Sequence, residues 1–256
     1  MQLRPLGSSG LQVSQIGLGG MPLSIAGRPG RAEAIKVIHA ALRAGVTLID
    51  TADVYCLDQS DIGHNEKLIA EALAQRGEEG TVLVATKGGL QRPGGAWVTD
   101  ADPRRLKSAC EASLKALRLT TLPLYQLHAV DDSVPLEDSV GALAELRRQG
   151  KIAHIGLSNG LLALCAAENI AYLAYSPVGG GRGKARVAED ATLKAVGARH
   201  GVSAFQVALA WLLAKSPVII PIPGASQITS AIDSAAAGAL QLDADDMAAL
   251  DRAFPV

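Results

Sequence analysis

Four residues with side chains suited to proton transfer lie at or just past the ends of apolar, strand-like segments: Asp50, Tyr55, Lys87 and His128. The segments that lead to them span residues 45–50, 81–87 and 122–128. In a barrel of parallel strands the carboxyl ends of the strands meet at one mouth, so such residues can share a site. A phenol, an ammonium, a carboxylate and an imidazole brought together there could deliver a proton to a bound molecule.

The residue types also predict the electrostatics of this group. A tyrosine hydroxyl has an ordinary pKa of about 10 and is a weak acid unless a nearby cation stabilises its phenolate. We expect Lys87 to be that cation and Asp50 to be its counter-charge, so that the two lower the pKa of Tyr55. His128 would donate or relay a hydrogen bond at the oxygen that receives the proton.

Each residue has a structural interpretation when taken alone. A lysine after a strand is usually a solvated charge, a lone histidine is more often structural than catalytic, and Asp50-Thr51 at a strand end is a common helix N-cap. The order of five motifs along the chain favours the functional interpretation. They are Asp50-Thr-Ala-Asp-Val-Tyr55, Thr86-Lys87, Leu127-His128, Gly156-Leu-Ser-Asn159 and Tyr175-Ser-Pro-Val-Gly-Gly180.

This ordered series resembles the motifs of the aldo-keto reductases, from the N-terminal segment to the C-terminal helix, with one gap. The resemblance implies an α/β fold, a (β/α)8 TIM-type barrel with an N-terminal hairpin. It also implies NAD(P)H-dependent reduction of an aldehyde or ketone to an alcohol, with Tyr55 as the general acid, Lys87 and Asp50 beside it, and His128 orienting the carbonyl.

The resemblance further implies a cofactor site, made by Ser158, Asn159, Tyr175, Ser176, Pro177, Gly179, Gly180, Gly224, Ser226 and Gln227. Tyr175 would stack on the nicotinamide, and the glycine-rich loop after it would approach the pyrophosphate, although the glycines alone also suit a plain linker. The family's arginine near Gln227 and its asparagine near Ser234 are both missing here. NADPH is therefore expected from family habit, with NADH as the alternative.

Alternating secondary structure independently favours an α/β fold. Residues 2–15 predict a hairpin and residues 16–20 a first barrel strand; helices are predicted at 31–44, 64–76, 103–118 and 136–149, and strands at 45–50, 81–86, 122–127 and 152–157. Strict alternation is typical of parallel strands covered by helices. We expect one domain over residues 1–256.

Two local features have competing interpretations. Trp97, in the long connection 88–101 after a predicted strand, is the candidate substrate-contacting aromatic, and packing on the barrel rim explains it equally well. His64-Asn65-Glu66 opens the second helix, and we assign it a structural role through the helix dipole.

The regular alternation breaks after Asn159. Only residues 160–169 precede the next predicted strand at 170–175, whereas a βαβ unit takes roughly 30 residues or more. One strand-plus-helix unit is therefore expected to be missing, and the family resemblance implies that it is the sixth, which carries a glutamine at the nicotinamide. A genuine deletion, an engineered one and an omitted segment all fit the sequence, and a real deletion would leave two strand edges that favour self-association.

Composition narrows the function classes. A net charge of -1 gives no electrostatic basis for binding nucleic acid or an anionic membrane surface. No apolar run reaches the roughly 18 residues of a membrane span. Three cysteines without metal-ligand spacing suggest reduced thiols in a cytoplasmic protein with no metal site.

Three hypotheses about function follow. The first is a cytoplasmic reductase acting on a small-molecule carbonyl, either as a monomer or as a homo-oligomer. The second is a non-catalytic relative that binds a nucleotide or a partner, which the missing unit and the altered adenine contacts favour. The third is a defective product that binds nothing.

Overall fold

Parallel strands form the centre of the protein in its computed structural model. The structure describes residues 1–78, 80–157, 162–168 and 170–254. For residues 162–164, 181 and 182 it describes the backbone alone. The strands are β1 (Leu3–Pro5), β2 (Gln12–Ser14), β3 (Leu18–Gly19), β4 (Leu48–Asp50), β5 (Leu83–Gly88), β6 (Leu90–Gln91), β7 (Val98–Thr99), β8 (Leu122–Leu127), β9 (Ile152–Leu157), β10 (Tyr172–Tyr175) and β11 (Ile219–Ile222).

Helices cover the strands and alternate with them as predicted. They are α1 (Arg31–Arg43), α2 (His64–Ala74), α3 (Pro103–Leu117), α4 (Leu136–Arg148), α5 (Leu162–Ala167), α6 (Gly180–Glu189), α7 (Ala191–His200), α8 (Ala204–Lys215), α9 (Ile228–Ala236) and α10 (Ala244–Ala253). Local sequence explains their ends. In α3, for example, the Asp102 side chain accepts from the backbone N–H groups of Arg104 and Arg105, and Pro103 occupies the first turn, where its missing N–H costs nothing.

Seven parallel strands follow one another in a continuous order. Strands β3, β4, β5, β8 and β9 form a five-stranded sheet, and β10 pairs with β11. The backbone N–H groups of Gly17 and Gly19 donate to the carbonyls of Pro221 and Pro223, both at 2.9 Å, so β11 adjoins β3. Within the described residues no pairing joins β9 to β10, and these strands are the two ends of the series.

The missing unit lies between those two ends. The expected fold class, a TIM-type barrel lacking its sixth strand unit, agrees with this strand order. The consequence is visible in exposure: every residue of β4 is buried, whereas Leu157 at the end of β9 is 57% exposed and Tyr175 at the end of β10 is 58% exposed.

The predicted N-terminal hairpin is present and closes the end of the barrel at which the strands begin. Strands β1 and β2 pair antiparallel, and Leu6 and Val13 pack inside the barrel with Leu48 and Leu124. Burying these side chains contributes roughly 1.5–3 kcal/mol each. The hairpin leaves the opposite mouth, where the strands end, free to carry a site.

The connection after β5 contains an antiparallel ribbon, β6 with β7, where the sequence suggested only a loop. The ribbon carries Trp97, and the Asp100 N–H donates to the Gly89 carbonyl at 3.0 Å in closing it. None of the helices in the described part of the chain is long and apolar enough to span a membrane.

Candidate active site

Three predicted residues are in direct contact at the mouth of the barrel. Asp50 ends β4, and Lys87 lies near the end of the neighbouring strand β5. The Lys87 ammonium donates to Asp50 Oδ2 at 2.6 Å, to the Thr51 carbonyl oxygen at 2.8 Å and to the Tyr55 hydroxyl oxygen at 3.1 Å. All three of its donors therefore have acceptors, as a buried ammonium requires.

His128 and Trp97 complete the surroundings of the phenol. Both rings meet the Tyr55 ring edge-on, with centroid distances of 5.7 Å for His128 and 6.4 Å for Trp97. The guanidinium of Arg92 stacks on Trp97 at 3.8 Å, which holds the indole in place. The side chains predicted from the strand ends are thus brought together around one hydroxyl group.

Burial changes the expected electrostatics of Tyr55. Its pKa is raised above the ordinary value because burial outweighs the opposing effect of Lys87, and the nearby Asp50 carboxylate raises it further. Lys87 acts in the expected direction, but the expectation that Lys87 and Asp50 together lower the pKa below its usual value is wrong. Tyr55 therefore stays protonated, and so able to donate, throughout the neutral range.

The pKa values of Lys87 and His128, the two basic side chains next to Tyr55, are shifted in opposite directions. Burial alone would lower the pKa of Lys87, but Asp50 and Tyr55 outweigh it and the pKa is raised, so the ammonium stays charged. Burial, assisted by Lys87, lowers the pKa of His128 to about 3. The imidazole is therefore neutral at physiological pH, and its Nδ1 is buried without a hydrogen-bond partner among the described residues.

A cavity of about 600 Å³ opens from these residues. Most of the residues predicted for the site line it: Asp50, Tyr55, Lys87, Trp97, His128, Tyr175, Ser176, Pro177, Gly180, Gly224 and Ser226. Gly179 and Gln227 are the N-caps of α6 and α9 and do not line the cavity. Ser158 and Asn159 lie outside the described residues.

The glycine-rich segment after Tyr175 is the start of a helix and not the loop expected from its composition. Gly179 has φ +78°, a left-handed conformation that favours glycine, and the Gly183 N–H donates to its carbonyl at 2.8 Å. Helix α6 begins directly afterwards, with Gly180 at the cavity wall. Free N–H groups and the helix dipole at such an N-terminus favour an anion.

Several cavity residues were not found by sequence reasoning: Met21, Pro22, Val178, Phe205, Ile222, Ser230 and Asp233. Met21 and Pro22 follow β3, so the strand-end argument used for Lys87 applies to them too. Phe205 and Asp233 come from helices, and no local pattern distinguishes them from packing residues. The Asp233 carboxylate accepts from Ser203 Oγ at 2.8 Å and Gln206 Nε2 at 2.6 Å, which fixes its position.

The arrangement can protonate a small polar group and has room for a large ligand beside it. A cavity of 300–1,000 Å³ is typical of small-molecule and cofactor sites. The exposed ring of Tyr175 offers an aromatic face, and the helix N-terminus at Gly180 suits a phosphate. A dinucleotide cofactor fits these features.

Fold and site together define a TIM-type barrel protein with its site at the carboxyl ends of the strands. The chain belongs to the aldo/keto reductase family, because the model of the Aldo/keto reductase family matches residues 15–160 and 159–254. The family resemblance inferred from the five motifs is thereby confirmed, and the family consists of oxidoreductases.

Similar proteins span nearly the whole chain. A probable aldo-keto reductase 1 of Glycine max is 30% identical over 317 residues, covering 100% of this chain and 90% of the relative. The aldo-keto reductase str7 of Strobilurus tenacellus is 28% identical, and the match covers 94% of this chain and 88% of the relative. A crystal structure of an aldo/keto reductase from Klebsiella pneumoniae in complex with NADP and acetate has a TM-score of 0.83 at 25% identity, covering 100% of this chain and 96% of that one.

The comparisons also locate the missing unit. The two matched segments of the family model meet at residues 159–160, the position at which the sequence loses its regular alternation. The match to the Glycine max relative extends over 317 residues, more than the 256 of this chain, so the relative contains segments that this chain lacks.

Proposed function

We propose that this protein is a carbonyl reductase that uses NADPH to reduce an aldehyde or ketone to an alcohol. The observation that carries the proposal is the contact of Tyr55 with the buried Lys87–Asp50 pair at the wall of a cavity of about 600 Å³. Bound NADPH supplies a hydride. The residues described below supply the proton and the binding surfaces.

Tyr55 is the proposed proton donor. Its raised pKa keeps the hydroxyl protonated before reaction, and the positive charge of Lys87 at 3.1 Å stabilises the phenolate that remains afterwards. Neutral His128 is the proposed orienting group, since an imidazole N–H can donate to the carbonyl oxygen without bringing a second charge into the site. Asp50 keeps the ammonium charged and in place.

The proposed cofactor site uses Tyr175 against the nicotinamide, and Ser176, Pro177, Gly179 and Gly180 around the start of α6. Gly224, Ser226 and Gln227 lie before α9, and Ser158 and Asn159 remain proposed partners of the carboxamide from the family motif. NADPH is the proposed cofactor because the Klebsiella pneumoniae relatives are in complex with NADP and NADPH. The arginine that the family has near Gln227 is missing here, and we propose NADH as a weaker alternative.

The substrate side of the cavity is proposed to accept a small apolar carbonyl compound. Trp97 and Met21 line the cavity with apolar surface. Lys87 has all its hydrogen bonds used by the protein, and His128 is neutral, so neither provides a pairing partner for a carboxylate substrate. Trp97 is the proposed substrate contact.

Turnover by Tyr55→Phe tests the proposal. NADPH oxidation is followed with a panel of aliphatic and aromatic aldehydes and ketones, and cofactor binding is measured separately by fluorescence titration. Loss of the proton donor is expected to lower kcat by about 10²–10⁴ while NADPH still binds. Tyr172→Phe, which changes a tyrosine outside the cavity, is the matched control and should keep the wild-type rate.

The alternatives give different results in the same experiment. NADPH binding by the wild type without turnover of any carbonyl compound would support a non-catalytic binding protein. Failure to bind, together with non-cooperative unfolding, would support a defective product. Full turnover by Tyr55→Phe would exclude the proposed mechanism.

We further propose that residues 1–256 act as one domain. We also propose that the protein is cytoplasmic, because its three cysteines are buried free thiols.

A further inference from the structure

We propose that Asn65 is a positioning residue for proton transfer, acting through Thr51, whose carbonyl oxygen is one of the three acceptors of the Lys87 ammonium. The inference rests on the proposed function. It replaces the interpretation of His64-Asn65-Glu66 as a simple helix start, because the Asn65 side chain is fully buried and bonded to three groups outside its helix.

The Lys87 ammonium is held by a complete set of directional contacts. Its acceptors are Asp50 Oδ2, the Thr51 carbonyl oxygen and the Tyr55 hydroxyl oxygen, at 2.6, 2.8 and 3.1 Å. A lysine ammonium has three donors, so none is left over. Because the three N–H directions are fixed relative to one another, a shift of the Thr51 carbonyl turns the ammonium away from Tyr55.

Thr51 is fixed on two sides. Its N–H donates to the Ala85 carbonyl on β5 at 2.8 Å, and its hydroxyl donates to Asn65 Oδ1 at 2.6 Å. The first contact continues the pairing of β4 with β5. The second is the only side-chain hydrogen bond of Thr51 within the described residues, and it restrains the residue whose carbonyl accepts from Lys87.

Asn65 is itself anchored at the end of β3. Its Nδ2 donates to the Gly20 carbonyl at 2.9 Å and to Ser24 Oγ at 2.7 Å. The Gly20 N–H in turn donates to the Asp50 carbonyl at 2.8 Å. A Cβ on residue 20 would overlap Asn65 Oδ1, which explains the glycine at this position. One amide side chain thus joins α2 to the ends of β3 and β4, next to the ion pair.

The position of the Lys87 ammonium affects the acidity of the Tyr55 hydroxyl. The charged groups around its hydroxyl are Lys87 on β5, Asp50 on β4 and Asp53 on its own segment, with neutral His128 after β8. Lys87 alone among the charged groups lowers the pKa of the phenol. If the ammonium moves away, the pKa rises further, and Tyr55 becomes a weaker acid in the reaction.

Thr51→Val tests this chain of contacts, since it removes the hydroxyl and keeps the branched shape. We expect kcat to fall by about tenfold to a hundredfold, the loss typical of misplaced catalytic geometry, and the alkaline limb of the kcat profile to move to higher pH. The Kd for NADPH should stay within about twofold of wild type. Thr51→Ser, which restores a hydroxyl, should recover most of the rate.

Ser139→Ala is the matched structural control. Ser139 is buried, and its hydroxyl donates to the Ala101 carbonyl at 2.9 Å, away from the cavity. This variant should lower the free energy of unfolding without changing kcat or its pH profile. If Thr51→Val and Ser139→Ala both lose stability and both keep the wild-type profile, the positioning role is overturned.

Two further measurements keep the test decisive. If Thr51→Val does not fold, Ser24→Ala removes an acceptor of Asn65 Nδ2 and should lower kcat in the same direction; an unchanged kcat in that variant contradicts the proposal. If the wild type binds NADPH without turnover, the proposed function fails separately. Ionisation of Tyr55, read as the phenolate absorbance that Tyr55→Phe lacks, must then still shift to higher pH in Thr51→Val, and an unshifted titration overturns the inference.

Discussion

The ammonium of Lys87 and the carboxylate of Asp50 form an ion pair with a separation of 2.6 Å and only 4% exposure of either side chain. Water cannot solvate either charge, so each depends on the other. Their strands are neighbours in the sheet, which explains how residues far apart in sequence reach this distance. The same pairing makes the site and the fold interdependent.

Replacing Asp50 by asparagine should therefore impair both stability and activity. The change leaves the Lys87 charge buried without its counter-charge, and breaking a buried pair in this way costs about 3–5 kcal/mol. Urea unfolding measures the loss, and Glu33→Gln at the exposed pair with Lys36 is the control, expected to be close to wild type. Equal unfolding curves for the two variants would contradict the account of the buried pair.

The neutral His128 predicts a specific dependence of stability on pH. Its pKa is about 3 in the folded protein because of burial, against an ordinary value of about 6.5 in an unfolded chain. Between those values the unfolded state binds the proton more strongly. The contribution of this residue to stability is complete above the unfolded pKa and is lost as the pH falls, by up to about 1.4 kcal/mol per pH unit.

A comparison of wild type with His128→Gln isolates this contribution. Unfolding free energies are measured by urea titration between about pH 4.5 and pH 7.5, within the window that linkage defines. The wild type should lose more stability than the variant as the pH falls. Asp53, with a pKa raised to about 7 by burial and by Glu66, contributes with the opposite sign in both proteins and cancels in the difference. Parallel curves would show that His128 is not buried in its neutral form.

Sequence reasoning recovered the framework of the site because the framework depends on local patterns. Alternating apolar segments predicted the strands and helices, and the strand ends predicted Asp50, Lys87 and His128 at a common mouth. Chain length between motifs predicted the missing unit. None of these inferences required knowledge of which side chains touch.

The remaining features depend on contacts that no local pattern specifies. The direction of the Tyr55 pKa shift follows from the extent of burial, which outweighs a charge only 3.1 Å away. Gln126 was missed although its Nε2 donates to Asp50 Oδ1 at 3.3 Å, and Gly156 leaves the space for it: a Cβ there would lie 2.6 Å from Gln126 Cγ. The glycine-rich composition around Gly179 predicted a loop, whereas Gly179 is the N-cap of α6.

Gln227→Arg should increase the preference for NADPH over NADH. Gln227 is the N-cap of α9, and the adjacent Ser226 lines the cavity. A guanidinium there would offer a charge-assisted, bidentate contact to the 2′-phosphate, worth about 1.5–3 kcal/mol, or roughly tenfold or more in affinity. Fluorescence titration with both cofactors measures the ratio. NADH lacks the 2′-phosphate and is the internal control, so a parallel gain for both cofactors would show that the guanidinium does not contact that phosphate.

The unpaired edges of β9 and β10 predict that local stability differs between strands. Strands β5 and β8 are hydrogen-bonded to a neighbour on each side, whereas β9 and β10 are each paired on one side among the described residues. Backbone amides of β9 and β10 should therefore exchange with deuterium faster than those of β5 and β8, as measured by mass spectrometry of peptides. A second copy of the chain would cover these edges if β9 and β10 are strongly protected at high protein concentration and lose that protection on dilution. The mass measured by analytical ultracentrifugation should then fall over the same dilution. Protection independent of concentration would contradict the open arrangement of the seven strands.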